Sequence, residues 1–396
     1  MIPRDFLWGV STSAHQVEGG TWNNQWAQWE RDGKIPAPHR AGLACDWWRN
    51  AERDFLAAKE LGVNALRLSV EWSRIEPDEN RWDHYALERY AQMLRHLREL
   101  GIRPHVTLHH FTHPIWFERQ GGFLSPRSPY LFSRFVRKVV TMLGPLCSDW
   151  ATFNEPNVYT SLGYQVGYFP PGYRGRLFDG ARVTLNMAHA HARAYDVIHS
   201  LQPNASVGWA QHIIVLAPTR TESRVDQKLC DLHDRLFNGN FADTVISGSV
   251  PFPLFADEEI SRIVGKYDYI GINFYSRLHA QFDHRRRETL CAHITVPEHL
   301  PQGDHGLQHP YGEAFTDGMF LAAQRFASLG KPLYFLEHGV PDRDDRIRPT
   351  VLREANAQIQ KILAAGIDLR GYFHWSLIDN FEWNEGWHLR FGLIEL

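Results

Sequence analysis

The sequence predicts an α/β fold, a (β/α)8 TIM barrel with long βα-loops, spanning residues 1–396 as a single domain. Three observations carry the prediction: short apolar runs rich in β-branched and aromatic residues recur eight times, stretches of helical period separate them, and no low-complexity linker divides the chain. Eight strands alternating with helices favour a closed barrel, because an open sheet that wide is uncommon. A length of 396 residues would ordinarily suggest two or three domains, but α/β barrels exceed that expectation routinely.

In chain order the runs are Phe6–Thr12, Ala65–Val70, Pro104–His109, Trp150–Glu155, Ser206–Gln211, Tyr267–Tyr275, Leu333–Glu337 and Leu369–Leu377, each read as a buried parallel strand. After the second, Leu87, Tyr90, Ala91, Leu94 and Leu97 share a helical face behind Asp83, which is placed to cap. After the third, Ser128-Pro129 has the cap-then-proline order of a helix start, followed by Leu131, Phe132, Phe135, Val136 and Val139. After the seventh, Leu352, Ala355, Ile359 and Ile362 repeat the pattern. A typical barrel needs about 250 residues, leaving roughly 146 for loops that deepen a pocket.

Composition narrows the function. With 43% hydrophobic and 22% charged residues the chain buries a large core without help from disulfides or metals. A net charge of −3 offers no attraction to polyanions, so nucleic acid and anionic membranes are excluded as expected partners and a neutral substrate is favoured. No apolar run approaches the ~18 residues of a membrane span. The 14 Trp, 14 Tyr, 23 Phe and 22 His supply flat, hydrogen-bonding rings suited to gripping sugars, and equally suited to filling a core. Cys45, Cys147, Cys230 and Cys291 show no disulfide or zinc spacing, and Met1-Ile2-Pro3-Arg4-Asp5 is not the start of an export signal, so a reduced, cytoplasmic protein without metal or cofactor is expected. Asn204-Ala205-Ser206, a glycosylation pattern, is then expected to go unused.

In a barrel the chemistry sits at the C-terminal ends of strands. Two carboxylates stand there: Thr152-Phe153-Asn154-Glu155-Pro156-Asn157 closes the fourth strand and Phe335-Leu336-Glu337-His338-Gly339 the seventh. Displacing a glycosidic oxygen at neutral pH requires a proton donor and a nucleophile, and two carboxyls ~5–5.5 Å apart supply both with net retention. Repulsion between them lets only one ionise.

These residues resemble glycoside hydrolase family 1, the β-glucosidase and β-galactosidase type. The likeness runs from Phe6-Leu7-Trp8-Gly9 to Arg390-Phe391-Gly392 and is most specific at Thr152–Pro156, at Gly271-Ile272-Asn273-Phe274-Tyr275 and at Trp375-Ser376-Leu377-Ile378-Asp379-Asn380-Phe381-Glu382-Trp383. It implies a retaining exo-β-glycosidase that releases glucose, galactose or fucose through a covalent glycosyl-enzyme. Glu155 would be the acid/base, holding its proton, and Glu337 the anionic nucleophile, with Arg67 and Tyr275 supporting Glu337 and Asn154 reaching the 2-hydroxyl. Gln16, His110, Glu382 and Trp383 would bind the terminal sugar, Trp375 would stack on it, and Phe391 would complete the substrate-binding set. Family members acting on 6-phosphorylated sugars lack the glutamate equivalent to Glu382, so the resemblance excludes such substrates. A glycosidase-like binding protein and a transglycosidase are the alternatives.

The chain also departs from the family pattern. His338 replaces the usual Asn after the nucleophile and Phe111 the usual Trp after His110, which suggests an altered rate or pH profile. His109, His110 and His113 are read as a sugar-binding histidine with structural neighbours, since no carboxylate or Cys lies at metal-ligand spacing. Family members continue past Arg390-Phe391-Gly392 into a final barrel helix. Its absence here would bare apolar surface between the last strand and the first, to be shielded by a homo-oligomer partner or a rearranged segment. The aglycone pocket is expected from the loops Thr160–Asp179 and Leu278–Gly312 and from the stretch before Trp387.

Overall fold

Each of the eight apolar runs forms a strand in the computed structural model, which describes residues 2–35, 39–307 and 311–396. The strands are β1 (Leu7–Ser11), β2 (Ala65–Ser69), β3 (Arg103–His109), β4 (Asp149–Asn154), β5 (Ser206–Pro218), β6 (Ile270–Phe282), β8 (Leu333–His338) and β9 (Leu369–Trp375). All run parallel, and the barrel closes through β9 beside β1 and β5 beside β6. One strand was not anticipated: β7 (Ala292–Thr295) pairs antiparallel with the distal half of β6, outside the barrel. β5 and β6 therefore run seven residues past their predicted ends, carrying a wall up beside the barrel mouth. The end of β6 and β7 belong to the predicted loop 278–312, of which residues 308–310 lie outside the described residues.

The outer layer comprises α1 (Trp47–Glu60), α2 (His84–Glu99), α3 (Ser128–Leu143), α4 (Pro156–Thr160), α5 (Leu177–Leu201), α6 (Arg224–His233), α7 (Asn240–Ser247), α8 (Gly318–Ala327) and α9 (Arg348–Ala364). Asp83 caps α2 as predicted, accepting from the Ala86 N–H at 2.9 Å, and all five predicted apolar residues of that helix are buried. Ser128 is not a cap: it is already helical, and its hydroxyl turns to the Phe123 carbonyl. In α9 the buried stripe is Val351, Ala355, Ile359 and Ile362, so Leu352 lies one position off the face assigned to it.

The barrel interior is packed. Leu7, Ala65, Ala151, Ala210, Tyr269, Tyr334, Leu336 and Phe373 meet there, and His105 Nε2 lies 2.8 Å from the Tyr269 hydroxyl. Bulky residues on one strand demand space on the next. A Cβ on Gly9 would fall 2.4 Å from the Phe373 ring, and one on Gly271 would fall 2.3 Å from Leu336 Cδ1 and 2.7 Å from the Trp209 carbonyl oxygen.

Between β9 and β1, where bare apolar surface was expected, Phe6 and Tyr372 are buried. Half-buried Trp8 lies against both rings, at 4.8 and 6.1 Å between centroids. Beyond β9 the chain folds back on itself, with Ile394 bridged to Ile378. Among the described residues no helix is long and apolar enough to cross a membrane, and all four cysteines are free thiols.

Because the Gly271 position has backbone on one side and Leu336 on the other, Gly271→Ala should destabilise the fold by about 1–3 kcal/mol through overpacking, measured by chemical denaturation; an unchanged midpoint would contradict the tight interior described.

Candidate active site

Glu155 follows the last residue of β4 and precedes Pro156, which opens α4. Its backbone is left-handed, with φ 44° and ψ 60°, and its N–H donates to the Ala210 carbonyl of β5 at 2.8 Å. Glu337 lies within β8, paired with Asn273 of β6. The two carboxylates are 6% and 3% exposed. Both line one cavity of about 390 Å3 at the C-terminal mouth of the barrel, with His110, Asn154, Tyr275, Trp375, Glu382 and Trp383.

A continuous hydrogen-bond network connects them. Arg67, 0% exposed, donates to Glu337 Oε1, to Asn154 Oδ1 at 2.7 Å and to Thr107 Oγ1 at 2.9 Å. Tyr275 donates its hydroxyl to Glu337 Oε2 at 2.6 Å. Asn273 Nδ2 donates to Asn154 Oδ1 at 3.0 Å and to Glu155 Oε1 at 2.8 Å. His212 Nδ1 lies 2.9 Å from the same Glu155 oxygen.

Among the predicted sugar-binding residues, Gln16 donates its Nε2 to Glu382 Oε2 and to Asn380 Oδ1, both at 2.9 Å. The His110 ring lies near-parallel to both Trp375 and Trp383, about 6 Å from each. Asn154 Nδ2 donates to His110 Nε2 at 3.0 Å, while buried His110 Nδ1 has no hydrogen-bond partner among the described residues. Such an orphan is what a bound hydroxyl would satisfy. Phe391 sits outside the lining, packed edge-on behind Tyr275 and Tyr311. Phe111 lines the cavity, held at φ 65° with its ring edge-on to Trp383.

His338 corrects an expectation. Successive strand residues point to opposite faces, so with Glu337 facing the cavity His338 faces outward, its Nδ1 2.9 Å from the Tyr372 hydroxyl and its ring parallel to Phe274. Burial pulls it down to about 3, which keeps it neutral. His109 and His113 are likewise structural: they stack on each other and His113 bonds Glu118 at 2.7 Å. No cluster able to hold a metal ion occurs among the described residues.

The charge pattern also differs from expectation. Burial pushes Glu337 up to about 7, against the pull of Arg67, with repulsion from Glu155 adding to the rise. Burial raises Glu155 too, but the charge and hydrogen bond of His212, together with Asn273, outweigh it and bring Glu155 below its usual range. The two buried carboxyls share protons as a pair, and the hydrogen bonds from His212 and Asn273 draw the negative charge towards Glu155. His212 and the role of Asn273 were missed in the sequence. The fifth apolar run ends at Gln211, one residue before His212, so scrutiny of the polar residues that follow each run would find it.

The profile of glycosyl hydrolase family 1 matches residues 1–396. The β-galactosidase of Sulfolobus acidocaldarius is 31% identical over 464 aligned positions, covering 100% of this chain and 91% of its own length. β-Glucosidase A of Acetivibrio thermocellus is 27% identical, with 100% and 93% covered. Among solved structures, a β-glycosidase from Pyrococcus horikoshii superposes with a TM-score of 0.89 at 33% identity, covering 100% of this chain and 90% of that one. The Thermotoga maritima β-glucosidase bound to glucoimidazole superposes with a TM-score of 0.91 at 27% identity, covering 100% and 94%.

Burial, with the charge of Glu337 next, pushes Glu382 up to about 8. A carboxyl raised on folding contributes stability that is complete below its unfolded value near 4.5 and is lost as pH rises through about 8. Relative to wild type, Glu382→Gln should therefore gain thermal stability progressively from pH 4.5 to 8; a melting-temperature difference independent of pH would contradict this environment for Glu382.

Proposed function

The chain belongs to glycosyl hydrolase family 1 and is an O-glycoside hydrolase, and from that premise we propose that Glu155 and Glu337 divide the work of a retaining exo-β-glycosidase. The observation that carries the reading is the placement of two buried carboxyls in one cavity, joined through Arg67, Asn154 and Asn273.

In the first step a Glu337 oxygen forms a bond to the anomeric carbon. The bond from that carbon to the leaving oxygen breaks with its electron pair, and that oxygen takes the proton of Glu155. The competent form is the one whose single shared proton is on Glu155, and Arg67 with Tyr275 supports the complementary Glu337 anion. Esterification of Glu337 removes its charge, which lowers the proton affinity of Glu155. Glu155 then takes a proton from water, the water oxygen attacks the anomeric carbon, and the ester bond to Glu337 breaks. Asn154, held by Arg67 and Asn273, is positioned for the neighbouring hydroxyl, where a contact strengthens as positive charge develops.

Gln16, His110, Glu382 and Trp383, with Trp375, form the terminal-sugar side. The two oxygens of the Glu382 carboxyl, one of them held by Gln16, suit paired hydroxyls of gluco or galacto sugars. The side beyond Glu155 has a different character: Val158, Leu162 and Val166 face Ile214, Phe237 and Leu278. The rim carboxylate Glu385 there is occupied by the Tyr168 hydroxyl and the Leu307 N–H. This lining supports aryl and alkyl leaving groups over a second sugar. Because the site draws on residues from Gln16 to Trp383, residues 1–396 are read as one glycosidase domain.

Glu337→Ala should lose hydrolysis of an aryl β-glucoside by orders of magnitude and regain turnover with azide as the α-glycosyl azide, whereas Glu155→Ala should yield the β-azide. The opposite stereochemistry would exchange the two roles, and failure of both rescues in folded protein would overturn the mechanism. Across methyl, hexyl and octyl β-glucosides, kcat/KM should climb with chain length, by at most about fourfold per methylene; a flat series, or cellobiose cleaved faster than the octyl glucoside, would refute the apolar leaving-group side.

A further inference from the structure

The environment of His212 is specific in ways a cavity-wall residue does not require. It lies on β5 opposite Asn273 of β6. Its ring stacks on Tyr275, with centroids 5.9 Å apart and planes at 19°, and meets Phe237 edge-on at 5.9 Å. Its backbone carbonyl accepts from Asn157 Nδ2 at 2.8 Å. The imidazole plane is thus fixed by packing before any hydrogen bond is counted, and the fixed ring directs Nδ1 at Glu155 Oε1.

That oxygen has a second neighbour. Asn273 Nδ2, an amide nitrogen that can only donate, lies 2.8 Å away, so Oε1 is an acceptor. An acceptor facing Nδ1 makes Nδ1 the protonated nitrogen. Glu155 Oε2 forms no hydrogen bond to another side chain or to backbone among the described residues, while Glu155 itself lines the cavity.

Resting on the reading of Glu155 as the acid/base, we propose that His212 is a positioning residue that, with Asn273, occupies Glu155 Oε1 with two donors, confining the transferable proton to Oε2 and stabilising the carboxylate that later serves as base. The donors select one oxygen for chemistry and hold the carboxyl plane. They also favour the ionised form, which helps the second step and limits the first at high pH. The lowered position of Glu155 agrees with two donors outweighing burial.

Other groups acting on the same carboxyl are accounted for. Glu337 on β8 and Glu382 in the loop after β9 repel its charge, and Arg67 on β2 attracts it. Tyr275 on β6, Tyr311 from the loop before α8 and His110 after β3 complete the surroundings. Only Asn273 and His212 donate hydrogen bonds to Glu155 from side chains among the described residues.

The test replaces the ring while keeping its stack. In His212→Phe the alkaline limb of kcat/KM should move up by about one pH unit. Turnover of an alkyl glucoside, which depends on protonation of its leaving oxygen, should fall at least tenfold more than that of a dinitrophenyl glucoside. His212→Asn, which restores a donor, should recover both. The carboxyl carbon of Glu155, followed by NMR in glutamate-labelled protein and assigned by difference against Glu155→Gln, should titrate at higher pH in His212→Phe than in wild type. An unmoved carboxyl titration in folded His212→Phe, or equal losses for both leaving groups, would overturn the proposal. If His212→Phe fails to fold, His212→Ala serves the same comparison. Should the wild type hydrolyse no glycoside, the functional reading fails while the carboxyl titration still decides what His212 does to Glu155.

Discussion

Everything at the barrel mouth depends on one wholly buried guanidinium. Arg67 reaches from β2 to Thr107 on β3, Asn154 on β4 and Glu337 on β8, so a single planar group ties together four of the eight barrel strands. Burying a charge is unfavourable unless its donors are all engaged. Arg67 meets that condition only when the ends of those strands are in register, which makes the closed barrel and the placed nucleophile parts of one arrangement. The same group supplies the cation that lets Glu337 share a small cavity with Glu155 and Glu382.

The cavity is divided by chemistry. On one side, aromatic planes and paired polar groups, Gln16 with Glu382 and Asn154 with His110, face one another at hydrogen-bond distance. On the other, aliphatic and aromatic side chains from α4 and from the extended ends of β5 and β6 present few polar atoms. The sugar side combines His110, Asn154 and Trp375 at or just past strand ends with Gln16, Glu382 and Trp383 from the segments after β1 and β9, and the leaving-group side is built on segments that rise above the barrel.

Much of this was legible in the sequence. Eight apolar runs located eight barrel strands, and the strand-end rule picked out Glu155 and Glu337, because burial on both faces leaves an apolar signature that ends abruptly at the mouth. What was not legible follows from geometry. The extensions of β5 and β6 are half-buried, so their composition blends into the loops, and β7 exists only as the partner that β6 supplies. His338 was expected to alter the rate or pH profile because adjacency in sequence suggests adjacency in space, whereas strand alternation sends neighbours to opposite faces. His212 went unseen because its significance lies in Glu155 and Asn273, at 57 and 61 positions' remove.

The left-handed backbone at Glu155 has a consequence for how this protein can evolve. A side-chain-bearing residue held in that conformation stores on the order of 1–3 kcal/mol that only the surrounding contacts sustain. Glycine would release it. Selection for thermal robustness alone would thus drift towards removing the very carboxyl on which turnover depends, so this residue marks a point where durability and reactivity are traded against each other.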